Sequence, residues 1–174
     1  MANALNSLTV LLLLMLSMPC AAPSQTKAEQ TAFSAEDDGV KHPVKVPDSL
    51  IRILAQSDAL REFLKDLPGH GLPPEWLSAS EIHLAPAEND LVVMGTGQLR
   101  GANVTTFWIF APVAGGFNLL LEAVGHDLIV KNSRSNGYRD ISILAATAVE
   151  LTEVRFKYEG KGYRKARAKV EKVR

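Results

Sequence analysis

Eight short β-prone runs separated by turn residues follow Ser80, and they constrain the fold more than any other feature of the sequence. The runs are Ile82–Leu84, Leu91–Met94, Val104–Phe110, Phe117–Glu122, Leu128–Lys131, Ile141–Ala146, Leu151–Tyr158 and Tyr163–Val170. Runs of this kind are typical of short strands in an antiparallel sheet. We therefore predict a sheet of about six to eight strands. The pattern does not decide among an open sheet, a closed barrel and a sandwich.

The runs near the C-terminus predict a β-hairpin. Between Thr152 and Tyr158 apolar and charged residues alternate. After the turn at 159–162 the alternation returns, with apolar residues at three positions: Ala166, Ala168 and Val170. An alternation with a period of two predicts one buried face and one solvent-exposed face for this hairpin. A second hairpin is predicted between residues 104–110 and 117–122.

A helix is predicted before the strands. A helical apolar pattern opens at Pro47 and continues to Leu67, where Pro68 and Gly69 end it. Residues 23–46 are rich in small polar and acidic residues with almost no large apolar side chain, which predicts a flexible leader. Together these patterns predict a single α+β domain over residues 47–174, with an N-terminal helix followed by the antiparallel sheet.

Residues 1–22 have the pattern of a cleavable signal peptide. Residues 8–16 are strongly apolar apart from one threonine, and the run ends at Pro-Cys-Ala-Ala, a small-residue cleavage pattern. The run is too short to span a bilayer, which needs about 20 apolar residues. We therefore expect export to the periplasm or the medium, and no stable membrane span. Cleavage after Ala22 would also remove Cys20, the only cysteine, and with it disulfides and thiol chemistry.

The charge of the chain is zero overall but unevenly distributed. Residues 155–174 carry nine Lys and Arg against Glu159 and Glu171, a local balance of +7. An exported basic hairpin more often meets anionic envelope polymers or lipid headgroups than nucleic acid. We therefore expect an unknown protein or an envelope polymer as partner, an anionic surface as a candidate for the basic hairpin, and no nucleic acid. A solvated strand face followed by a frayed tail is the competing interpretation.

No catalytic constellation is marked in the sequence. The four histidines are His42, His70, His83 and His126. Their spacing fits no zinc pattern, and residues 95–101 lack the ending of a phosphate-binding loop, so we expect no metal, no cofactor and no catalytic residue. A small periplasmic hydrolase assembled from distant residues stays open as the alternative. Its base would be His126 or His83, and its orienting acid Asp127 or Asp140.

Asn136-Gly137 is the strongest local turn signal, because both residues accept positive φ and suit a tight hairpin. Residues 132–140 around it resemble the calcium loops of FG-GAP-type β repeats, with matches at Asn132, Asn136 and Asp140. Arg134 stands where such a loop supplies a carboxylate, and a cation there opposes calcium binding. A structural turn in which Asp140 bonds backbone amides is the competing interpretation.

Aromatic residues of the strands are candidates for a platform that binds a sugar or a peptide, with Arg139 supplying a charged contact. Aromatic residues on strands more often belong to the core, and this alternative stays open. The candidate binding residues are Trp108, Asn136, Tyr138, Arg139, Asp140 and Tyr163.

Five short stretches of the chain resemble small uncharacterised exported proteins of Gram-negative bacteria. The stretches are 101–103, 107–110, 116–121, 136–141 and 156–163. The resemblance implies a bacterial origin and a β-rich exported module, and no activity comes with it. The sequence therefore favours a non-enzymatic binding module of the bacterial envelope, of the inhibitor or immunity type.

Overall fold

Two antiparallel sheets and two short α-helices form the described part of the chain. The structure, a computed structural model, describes residues 28–65, 71–86 and 89–172. The helices are α1 (Asp48–Ala55) and α2 (Asp58–Leu64). The strands are β1 (Ala32–Ser34), β2 (Leu77–Ile82), β3 (Asp90–Gly95), β4 (Thr105–Val113), β5 (Gly116–Gly125), β6 (Asp127–Ser135), β7 (Tyr138–Ala146), β8 (Glu150–Tyr158) and β9 (Tyr163–Lys172).

The strand order differs from the single predicted sheet. One sheet has five strands in the order β1-β6-β7-β8-β9, and the other has four in the order β2-β3-β4-β5. The antiparallel α+β character is confirmed, and seven of the predicted runs each coincide with one strand, although several of these strands extend two to four residues beyond the predicted run. The first run was misplaced, because its strand occupies Leu77–Ile82 and ends where the prediction began. The N-terminal position of the helix was also wrong, since β1 precedes α1.

The change from one sheet to the other takes place at Gly125. β5 ends there and β6 begins at Asp127, so only His126 separates strands that belong to different sheets. A Cβ atom on Gly125 would lie 2.4 Å from Cγ2 of Ile143 and 2.7 Å from the carbonyl oxygen of Leu144. The backbone of β5 can therefore approach β7 this closely only because this residue has no side chain.

The four-stranded sheet is covered on both faces. Val92 and Met94 belong to a cluster shared with the five-stranded sheet, whereas Leu91 and Val93 belong to a second cluster beneath the helices. The alternation explains why β3 is apolar at consecutive positions, as strands buried on both faces are. Trp108 also lies beneath the helices and is fully buried.

Residues 28–46 pack on the domain instead of forming the predicted flexible leader. β1 pairs with β6, Phe33 is 1% exposed, and Val44 forms a bridge with Ala79 at the edge of the other sheet. A few apolar residues suffice here, because the segment adds to surfaces that are already formed. This corrects the prediction over residues 28–46, while residues 23–27 and the predicted signal peptide lie outside the described residues.

The predicted helix over residues 47–67 divides into two. α1 and α2 bury four leucines under the four-stranded sheet: Leu50, Leu54, Leu60 and Leu64. Ile53 and Phe63 share the same sequence pattern but are 38% and 40% exposed. The predicted stop at residues 67–69 lies outside the described residues, as does His70. No helix in the described ranges is long and apolar enough to cross a membrane.

Candidate functional site

Five of the six predicted binding residues lie near one another at one end of the five-stranded sheet. Asn136 and Gly137 form the tight β6–β7 turn with φ values of 48° and 84°, which confirms the predicted hairpin turn. The amide nitrogen Nδ2 of Asn136 donates a hydrogen bond of 2.7 Å to the carbonyl oxygen of Tyr158. Trp108 is the exception, because it is buried in the cluster beneath the helices and is not part of this surface.

Three tyrosines pack together behind this turn. The rings of Tyr138 and Tyr158 stack with their centroids 3.9 Å apart, and Tyr158 meets Tyr163 edge to face at 5.7 Å. The hydroxyl of Tyr163 donates a bond of 2.6 Å to the carbonyl oxygen of Arg139, and burial raises the pKa of Tyr163 above its ordinary value. The three tyrosine rings therefore pack on one another, and Tyr158 is a member of this cluster that the sequence prediction missed.

Arg139 ties the N-terminal segment to the sheet. Its Nη1 atom lies 2.9 Å from Oε2 of Glu29, and its Nε atom donates to the carbonyl oxygen of Lys131 at 2.9 Å. The residue is only 8% exposed. The charge of Arg139 is thus paired within the chain, which differs from the predicted role of an exposed contact for a ligand.

Among the described residues, hydroxyl groups hold Asp140, and not the backbone amides that the turn interpretation expected. Ser133 and Ser135 each donate a hydrogen bond of 2.7 Å to its carboxylate. Asn132 accepts a bond from Arg139, and Arg134 donates to the carbonyl oxygen of Leu84. The side-chain oxygens of Asn132 and Asp140, two of the three residues that match a calcium loop, therefore have separate partners within the chain. Within the described ranges, no cluster of three His, Cys, Asp or Glu residues is arranged to hold a metal ion.

His126 lies between two carboxylates at the corner where the chain changes sheets. Its Nε2 atom is 3.2 Å from Oε1 of Glu36, and its Nδ1 atom is 3.0 Å from Oδ1 of Asp127. Desolvation works to lower the pKa of His126, but hydrogen bonds to Asp127 and Glu36 and their charges outweigh it and raise the pKa. The contact fastens the N-terminal segment to the β5–β6 corner.

His83 contacts the same segment as Arg139. Its Nδ1 atom lies 3.4 Å from Oε1 of Glu29. For the part of the chain that the structure describes, no hydrogen bond joins His83 or His126 to a hydroxyl group. The base and nucleophile that the hydrolase alternative needs are therefore not in contact there.

The outer face of the C-terminal hairpin collects positive charge. Cross-strand register places Arg155 opposite Arg167, Glu153 opposite Lys169, and Lys157 opposite Arg164. Arg155 also pairs with Ser142 of β7, whose neighbours Ile141 and Ile143 face the core. The three cross-strand pairs therefore lie on the side of the sheet that faces away from the core. We call five residues the cationic face: Arg155, Lys157, Arg164, Arg167 and Lys169.

Two carboxylates partly compensate these charges: Glu171 pairs with Lys169, and Glu153 has several partners. Glu153 accepts a hydrogen bond of 2.6 Å from Ser142 and lies 3.3 Å from Nζ of Lys131 and 3.8 Å from Nη2 of Arg155. The hydrogen bond from Ser142 lowers the pKa of Glu153 most, desolvation opposes it, and the nearby cations lower it further. Glu153 is therefore ionised and shared among several donors, and it lines a depression of about 250 Å³ together with Arg155, Arg167 and Lys169.

The inner face of β9 is exposed, which contradicts the predicted burial of its apolar residues. Ala166 and Ala168 are exposed, and Val170 is 57% exposed. Tyr163 is the only buried residue of β9. The alternation correctly indicated two different faces, but the inner cluster reaches only the start of this strand. β9 is thus a strand with both faces open to solvent.

Comparison with known proteins found no match among family models, curated proteins or solved structures. Function is therefore inferred from the geometry of the surfaces described above.

Proposed function

We propose that this chain is an exported, non-enzymatic binding module whose cationic face holds a partner that carries several anionic groups. The observation that supports this most is the pair of Arg155 and Arg167, which face each other across β8 and β9. Like charges directly opposite each other destabilise a sheet. An anionic group between the two guanidinium groups would turn this repulsion into attraction.

Arginine also suits such a partner chemically. A guanidinium group presents a planar set of donors that matches the oxygens of a carboxylate or a phosphate. Lys169 lines the same depression, and Lys157 with Arg164 extends the charge toward the turn. The surface therefore favours a partner with repeated anionic groups over a single small anion.

The proposal is tested by retention of the protein on immobilised heparin, used as a generic anionic polymer. We expect the wild-type protein to bind at low salt and to elute as salt rises, because exposed charges are screened. The double variant Arg155→Ser and Arg167→Ser should elute at clearly lower salt. The matched control is Lys45→Ser with Arg52→Ser, which removes the same charge from exposed positions on the helical side.

Two results would overturn the proposal. Failure of the wild-type protein to bind heparin at low salt would contradict an anionic partner. Equal elution of the two double variants would show that net charge matters and the cationic face does not.

Export is the other part of the proposal, and it has its own test. Expression of the full chain in a Gram-negative host should yield a periplasmic or secreted protein whose mass corresponds to a start at Pro23. Recovery of only the uncleaved chain from the cytoplasm would contradict export, and it would leave the binding surface unaffected.

A further inference from the structure

β9 is an edge strand with an open backbone on one side. β8 is its only strand partner in the described residues, and β9 ends the order of the five-stranded sheet. The register between the two strands shifts next to Phe156, and beyond it residues 167–172 pair regularly with β8. Unpaired N–H and C=O groups along such an edge are a template for another strand.

The two faces of this segment differ in chemistry. Arg167 and Lys169 lie on the outer side with the cationic face, where Glu171 pairs with Lys169, whereas Ala168 and Val170 lie on the inner side and are exposed. A strand added along β9 would place its own side chains alternately against these two sides. The complementary sequence alternates acidic and apolar residues.

We infer that the partner is a protein that adds an acidic, alternating β-strand to the edge of β9. The inference rests on the proposed function, because the cationic face supplies the charge that selects the strand. Backbone hydrogen bonds would provide affinity, and the two rows of side chains would provide specificity, as in other cases of strand addition.

A second copy of this chain is the competing occupant of the same edge, and dimerisation through β9 would identify it. In-register parallel pairing of β9 with another β9 would bring Arg167 and Lys169 beside the same cations of the second strand, which is unfavourable, whereas antiparallel pairing would set these cations beside Glu171. An anionic polymer without a strand-forming backbone would use the outer face alone and would leave Ala168 and Val170 without contacts.

Synthetic peptides test the pattern directly. One peptide of about ten residues alternates glutamate and valine, and the control has the same composition with all glutamates in one block. Fluorescence anisotropy should show at least about tenfold tighter binding of the alternating peptide, since several cross-strand pairs form at once. Equal affinity for the two peptides would overturn the inference.

A pair of lysine variants separates strand addition from polyanion binding. Ala168→Lys with Val170→Lys adds positive charge at exposed positions of the inner side. Strand addition predicts at least about tenfold weaker binding of the alternating peptide by this variant, while heparin retention stays equal or rises. The matched control, Val113→Lys with Val124→Lys, adds the same charge at exposed positions of β4 and β5 and should bind the peptide like the wild type.

The remaining outcomes distinguish the two proposals from each other. If the variant Ala168→Lys with Val170→Lys binds both the alternating peptide and heparin more tightly than the wild type, the attraction is by charge alone. Strand addition is then wrong, and the proposed function stands. If the wild-type protein binds neither probe, both proposals fail. Hydrogen exchange should show slower exchange of amides in residues 167–172 with the alternating peptide bound. Concentration-dependent dimerisation through β9 would instead identify a second copy as the occupant and overturn the inference.

Discussion

Replacement of Gly125 by alanine tests the most constrained position of the fold. The added Cβ would lie 2.4 Å from Cγ2 of Ile143 and 2.7 Å from the carbonyl oxygen of Leu144. The side chain of Ile143 can rotate, but the carbonyl is part of β7 and accepts a hydrogen bond of 2.6 Å from the amide of His126. Relief of the contact therefore requires the β5–β6 corner to move away from β7.

The expected cost follows from this geometry. Overpacking that forces a backbone shift costs about 1–3 kcal/mol of unfolding free energy. The contact involves backbone as well as a side chain, so we expect a value near the upper end. Alanine also reduces the freedom of the unfolded chain, which contributes about 0.4–1 kcal/mol in the opposite direction where the backbone is compatible. The net loss for Gly125→Ala should therefore be about 2 kcal/mol.

Urea unfolding followed by circular dichroism measures this loss, and the same strand supplies the control. Gly116 begins β5, and a Cβ there would meet no atom within 4 Å. Gly116→Ala should consequently be neutral or slightly stabilising. Equal midpoints for the two variants would refute the reasoning that the change of sheet depends on close approach at Gly125.

Three further predictions concern the contacts around the sheet. Tyr163→Phe removes the 2.6 Å bond to the carbonyl oxygen of Arg139 and should cost about 1–3 kcal/mol in urea unfolding; wild-type stability would show that the bond contributes nothing. Because folding raises the pKa of His126, its contribution to stability should be complete below about pH 6.5 and should be lost as the pH rises through the higher folded-state pKa. His126→Gln should remove this part of the pH dependence of the unfolding free energy, and an unchanged pH profile would contradict the assignment. Arg139→Met removes the ion pair with Glu29, so hydrogen exchange should become faster in residues 28–34 than in β9, and uniform behaviour would argue against a fastening role.

The strands and tight turns could be predicted because their signals are local. Asn136-Gly137 needs only two residues that accept positive φ, and the structure places both there. The β8–β9 hairpin follows in the same way from alternation in residues 152–170. These features depend on neighbours in sequence, so a single chain contains enough information to find them.

The arrangement of the strands could not be predicted, because it depends on distant contacts. Gly125-His126-Asp127 has the composition of an ordinary turn, and only its contact with Leu144 shows that the chain changes sheets there. The segment containing Phe33 has the composition of a flexible leader. It becomes ordered because β6 offers an edge and Arg139 offers a charge for Glu29.

The candidate site was predicted in part for a similar reason. Sequence neighbours brought Asn136, Tyr138 and Asp140 together, but the stacking of Tyr158 comes from another hairpin and had no local signal. Trp108 could not be assigned to the core or the surface without knowledge that helices cover its face of the sheet.

The polar groups around Asn136 and those of the cationic face differ in their partners, and this difference distinguishes a structural region from a binding surface. Arg139 and Asp140 are buried and form hydrogen bonds within the chain, so a ligand would have to break those bonds to reach them. Arg155 and Arg167 instead face each other on an exposed hairpin, where Glu153 is shared among Ser142, Lys131 and Arg155. A partner that approaches the hairpin gains attraction and disrupts no hydrogen bond of the core. For this reason we locate binding on the cationic face, and we interpret the predicted site around Asn136 as the structure that holds the hairpins and the N-terminal segment together.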